Sequence, residues 1–133
     1  IAMKKLSYAG LLSLTLLAQG CAVQSASDIP PAERQYQTYL ESRKPALLRQ
    51  IGIVEVGHSS AGNIMRSQVA LRNRGSSAEQ FNYKFRWFDK AGLELDPEGA
   101  TWVPMSVLPG DVVRIQGLAP SPAAKSFRVI IDD

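Results

Sequence analysis

Gln80-Phe81-Asn82-Tyr83-Lys84-Phe85-Arg86-Trp87-Phe88-Asp89-Lys90-Ala91-Gly92 is the stretch whose reading decides the fold. Phe81, Tyr83, Phe85 and Trp87 occupy every second position, with Gln80, Asn82, Lys84 and Arg86 between them. Successive side chains of a strand point to opposite faces, so four aromatics share one face and polar groups the other. Four aromatics cost too much to leave in water, and that face must floor the core. Gly92 ends the strand by admitting the positive φ of a tight turn.

The chain on either side reads as further strands. Gln50–Gly57 is β-branched, and Ile64–Arg74 sets Met65, Val69 and Leu71 on one face. His58–Asn63 between them reads as a loop, and Asn73–Ser77 as a turn. After the aromatic strand, Leu93–Leu95 makes a short return strand stopped by Pro97, and Thr101–Val103 makes another. Leu108-Pro109-Gly110-Asp111 is placed as a type II turn requires. Val112–Gly117 and Ser126–Asp132 are the last strands. The prolines of Leu118–Pro122 suit a crossover between sheets better than a hairpin. About seven short strands with regular turn signals predict an all-β fold, a β-sandwich over 50–133.

A chain of 133 residues carries one domain with one modest core. Met3-Lys4-Lys5, the Leu- and Ala-rich run Leu6–Ala18 and Ala18-Gln19-Gly20 have the basic, apolar and small-residue order of a secretory signal over 1–20. The apolar run is shorter than the ~20 residues of a membrane span. Cys21, the one cysteine, follows at once, which resembles the lipobox of bacterial lipoproteins. The expectation is cleavage before Cys21, lipidation there, and a membrane contact through the lipid. Ala22 in place of Asp, by resemblance to the sorting rule of enteric bacteria, implies the outer membrane, facing the periplasm. Removing Lys4 and Lys5 leaves 13 basic against 12 acidic residues, and the rest are scattered. Nucleic-acid binding, which needs a dense basic stripe, is not expected.

Residues 21–31 read as lipidated terminus and tether. Residues 32–49 read as a helical segment, with a helix over Ala32–Arg43 that Pro45 ends. Tyr36, Tyr39, Leu40 and Arg43 share one side of such a helix, which either packs on the sandwich or offers an aromatic face to a partner.

Tyr83–Glu94, followed by Trp102, Leu108-Pro109-Gly110, Ala119-Pro120 and Phe127-Arg128, resembles the YcfL-type family of small periplasmic lipoproteins over roughly Ile51–Asp132. The resemblance implies an immunoglobulin-like sandwich on a lipid anchor. It implies no activity, since the family has none assigned.

Little in the residues points to catalysis. His58 is the one histidine, with no acid or cysteine at ligand spacing, and no serine sits in a nucleophile-elbow pattern. Glu94, Asp96 and Glu98 alternate and can converge on a cation or act as an acid/base pair, or simply form a solvent-facing edge. No catalytic set, metal site or cofactor is expected. Trp102 reads as closing one end of the core, with a binding anchor as the alternative. Phe88 breaks the polar side of its strand, so it is either exposed or covered by the N-terminal helix. The leading expectation is a non-enzymatic interaction module that binds an envelope protein through Tyr36, Tyr39, Phe88 or Trp102. The alternative is a binder of glycan or peptidoglycan fragments that stacks them on Trp102, Tyr36 or Tyr39.

Overall fold

The computed structural model describes residues 29–133; the leader, Cys21 and the tether up to Asp28 lie outside the described residues. The order is α1 (Pro31–Arg34), a 3-10 turn (Gln37–Tyr39), β1 (Leu40–Glu41), α2 (Pro45–Gln50), β2 (Ile51–Ala61), β3 (Ile64–Asn73), β4 (Glu79–Phe88), β5 (Glu94–Leu95), β6 (Val103–Val107), β7 (Val112–Leu118) and β8 (Ser126–Asp132). The strands form two sheets, a β-sandwich. The larger runs β1-β8-β4, with β5 and β6 sharing the far edge of β4; the smaller runs β2-β3-β7. The β7–β8 connection passes from one sheet to the other, as its prolines suggested.

β4 forms because its alternation fits a half-buried pleat. Phe81, Phe85 and Trp87 are buried, and Tyr83 is half-buried. Burial raises the pKa of the Tyr83 hydroxyl. β8 lies antiparallel to β4 and adds Phe127, Val129 and Ile131. Phe127 sits 5.8 Å from the rings of both Phe85 and Trp87. The smaller sheet closes the core with Ile53, Val69, Leu71 and Ile115. Gly117 is required here: a Cβ on it would stand 2.6 Å from the Phe85 ring, so only bare backbone lets the ring lie against β7.

Two turns meet at Asn73, which is fully buried. Its amide donates to the carbonyls of Ser77 and Val107, and its Oδ1 accepts from the Gly75 N–H. Its carbonyl accepts from Gly110, whose φ of 81° is the left-handed value that the type II turn needs. Gly92, at φ 86°, turns the chain after β4 in the same way.

The single helix expected over Ala32–Arg43 is absent. The segment breaks into α1, the 3-10 turn and β1. Tertiary partners override its helical periodicity. Glu33 is drawn to Arg72 of β3 and to Arg74 just beyond it, the Tyr39 ring packs 5.1 Å from Phe127, and Leu40 and Glu41 pair in parallel with Val129 and Ile130 of β8. Pro45 opens α2 instead of ending a helix, the first-turn position in which proline costs nothing. The loop expected at His58–Asn63 shrinks to Gly62-Asn63, because His58, Ser59 and Ser60 still pair with Ser67, Arg66 and Met65. β6 runs through Pro104 to Val107, beyond the expected Thr101–Val103; an edge strand tolerates a proline that donates no ladder bond.

Candidate interaction surface

The polar positions of β4 face outward on the larger sheet. Arg86 of β4 stands directly opposite Arg128 of β8, an arrangement that repels unless carboxylates intervene. They do. Arg86 donates to Glu41 of β1 at 2.7 Å and to both oxygens of Glu94 of β5 at 2.8 and 3.2 Å. Arg128 donates to the other oxygen of Glu41 at 3.5 Å. The row Glu41, Arg128, Arg86, Glu94 therefore crosses four strands with its charges matched.

Aromatics are set into this row. Phe88 lies on the outer face, with the Arg86 and Arg128 guanidinium carbons 5.3 and 5.6 Å from its ring centre. Trp102, in the loop before β6, takes the Lys84 ammonium 4.6 Å from its ring centre. These are cation–π distances. Beside Trp102 a shallow groove of about 410 Å³ is lined by Ser42, Arg43, Lys84, Arg86 and Ile130, among others.

The Arg86 hydrogen bonds hold Glu94 below the usual carboxylate range, against a smaller opposing effect of burial, and Glu94 in turn raises the pKa of Arg86. A depressed folded pKa means that the unfolded chain takes up the proton first. The stabilisation is present above about 4.5, the ordinary value, and is lost as pH falls through the folded value. Acid titration of stability is expected to show a loss below that pH in the wild type that is smaller in Glu94→Gln. Parallel acid limbs in the two proteins would contradict the pairing.

The structure separates the residues singled out in the sequence. Phe88 and Trp102 share the outer face of the larger sheet. Trp102 is 39% exposed, not the core plug expected, because its loop returns over the outside of β4. Phe88 is covered by arginines, not by a helix. Tyr36 and Tyr39 are half-buried against the core, so they form no exposed aromatic face. Cys21 lies outside the described residues. Glu94, Asp96 and Glu98 do not converge. Glu94 binds Arg86, and the Asp96 carboxylate turns toward Gly99 in a loop where Asp96 takes φ 47°. Among the described residues, no three His, Cys, Asp or Glu side chains gather as a metal site. His58 is exposed on β2. The residues the sequence reading missed are Glu41, Lys84, Arg86 and Arg128. The polar half of the β4 alternation was the only local signal for Lys84 and Arg86; Arg128 lay unmarked in the last strand, and Glu41 was hidden within an expected helix.

A family model matches residues 38–133, which spans β1, β8 and every strand between them. The chain belongs to the DUF1425 family of proteins of unknown function. The crystal structure of a DUF1425 member from Shewanella sp. pv-4 is similar to this chain, with a TM-score of 0.56 and 17% identity over 62% of this chain and 77% of that one. That of Campylobacter jejuni cj0090 is similar with a TM-score of 0.55 and 22% identity, over 71% of this chain and 96% of that one. At such identities the likeness concerns the fold alone. No curated protein matches the sequence. In this DUF1425 chain the Glu41–Glu94 row lies wholly inside the matched residues, whereas Glu33 lies before them.

Proposed function

We propose that this DUF1425 protein is a non-enzymatic protein-interaction module of the bacterial cell envelope, anchored at the outer membrane through lipid on Cys21 and facing the periplasm. Within the family we group it with the YcfL-type lipoproteins, on the residues of Tyr83–Glu94 and their downstream partners. The anchor is supported by the basic start, the apolar run and the Gly20-Cys21-Ala22 sequence. The observation that carries the interaction reading is exposed Trp102 on a sheet face whose charges are already matched. Tryptophan and arginine are the residues that dominate protein-binding hot spots.

The groove beside Trp102 favours a second reading, a binder of glycan or peptidoglycan fragments. It offers a ring to stack on and several hydrogen-bonding side chains. Against it, Lys84 already occupies the ring, and among the described residues Trp102 is the one aromatic lining the groove.

Photoreactive probes at Phe88 and at the groove residue Ser42 in intact cells, with wild type beside Cys21→Ser, test both readings. One dominant envelope protein is expected, lost with Cys21→Ser, which also abolishes palmitate incorporation. Trp102→Ala is expected to cut capture about tenfold or more, the scale of a hot-spot truncation. Adducts made only of glycan would replace the first reading with the second. Turnover of a substrate dependent on one side chain would remove the non-enzymatic assignment.

A further inference from the structure

A sandwich whose sheets do not close has four edges, and exposed edges invite another strand unless they are blunted. Three are blunted here. β1 is two residues long at one edge of the larger sheet. At the other edge β5 is equally short and β6 carries Pro104. β2, at one edge of the smaller sheet, has an irregular register between Ile53 and Glu55 and packs at its start against α1 and α2. β7, at the other edge, has none of these devices. It is seven residues long, contains no proline, points no charge inward and pairs with β3 without a register shift.

The phase of the β3–β7 ladder fixes what that edge presents. Its end bonds run from Ala119 N–H to Met65 and from Asn73 N–H to Asp111. Odd-numbered residues of β7 therefore exchange bonds with β3. The N–H and C=O groups of Val112, Arg114, Gln116 and Leu118 point away from it, because the two directions alternate in an antiparallel ladder. Among the described residues, β7 pairs with no strand but β3. The same four residues carry the outward side chains, and Val112 and Leu118 are two of the exposed large apolar residues.

We infer that β7 pairs antiparallel with β7 of a second copy of this chain, about a two-fold axis at Ile115. The alternation of the free groups allows this register. It places Val112 opposite Leu118 and Arg114 opposite Gln116, twice each, and uses all seven residues. Centring on Arg114 would set that arginine against itself, and like charges directly opposite repel. Centring on Gln116 would set Val112 against Pro120, which has no N–H to give. The self-complementary arrangement thus covers both exposed apolar side chains and leaves Arg114 beside its own Glu55, 2.8 Å away. It is isologous, as a closed dimer requires, and would join two three-stranded sheets into one of six. A slot of about 240 Å³ between Gly117 and Leu118 on one side and Thr101 and Val103 on the other lies along this edge. The inference uses a different face from the Trp102 groove and does not depend on that reading.

The test uses the full chain in detergent, with Cys21→Ser so that an introduced thiol is alone. Chains carrying Val112→Cys and Leu118→Cys are oxidised separately and after mixing. The expected result is a disulfide-linked dimer in the mixture and in neither chain alone, the signature of this register. Gln116→Arg, which sets arginine against Arg114 twice, is expected to weaken dimerisation about tenfold by light scattering or sedimentation. Gln116→Pro, which removes one outward N–H, should weaken it further while circular dichroism stays native. A monomer up to about 1 mM, or a dimer that yields no mixed disulfide, overturns the inference.

Discussion

Phe127→Ala is expected to destabilise the domain by about 3–5 kcal/mol, the range for truncating a buried aromatic. Phe127 comes from β8, yet its ring is where the sandwich and its N-terminal segment meet. It packs 5.1 Å from Tyr39, 5.8 Å from Phe85 and 5.8 Å from Trp87. Removing it leaves a cavity whose walls belong to rigid strands on one side and a 3-10 turn on the other. The turn can settle inward only by pulling β1 off β8, so relaxation recovers little. Urea unfolding should give a lower midpoint at unchanged slope. A loss below about 1 kcal/mol would mean that the aromatic cluster does not organise the core.

Arg74→Met is expected to cost about 2–4 kcal/mol, somewhat less than a fully isolated buried pair, because Arg72 remains near the carboxylate. Glu33 is 5% exposed, and its carboxylate accepts from Arg74 at 2.7 Å, with Arg72 at 3.6 Å. The same guanidinium donates to the carbonyls of Arg49 and Leu48, at the end of α2. It lies over Gly52, where a Cβ would stand 2.5 Å from Nη1. One side chain therefore fastens α1, α2 and β2 together. Replacing both partners, Glu33→Leu with Arg74→Met, should recover much of the loss, since it removes the stranded charge. A double-mutant cycle decides the matter: additive losses would show that the two side chains act separately.

The strands were readable where a local rule coincided with the tertiary environment. Phe81, Phe85 and Trp87 alternate because one face of β4 is buried, and Gly92 and Gly110 stand where φ is positive. The sequence misled where a distant partner decided. Nothing near Leu40-Glu41 announces that β8 leaves an edge free beside it, so helical spacing over 32–43 was the better local description of a segment that is not one helix. The candidate surface was half legible for the same reason. Phe88 and Trp102 are conspicuous by type, but their exposure depends on which side of β4 a later loop crosses. Arg86 meets Glu94 across the turn at Gly92, but its pairing with Glu41, 45 residues away in the chain, follows from sheet order alone.

The position of β8 bears on how the chain comes to fold. This strand follows all the others, yet it lies inside the larger sheet, between β1 and β4. Until it arrives, β4 has only short edge strands beside it, and its aromatic face lacks Phe127, Val129 and Ile131. Most of the closing contacts join residues far apart in the sequence, the topology that slows folding and prolongs the life of open intermediates. Closure of the described domain thus waits on β8, so a chain cut before Ser126 is expected to leave the aromatic face of β4 uncovered and the larger sheet in two pieces.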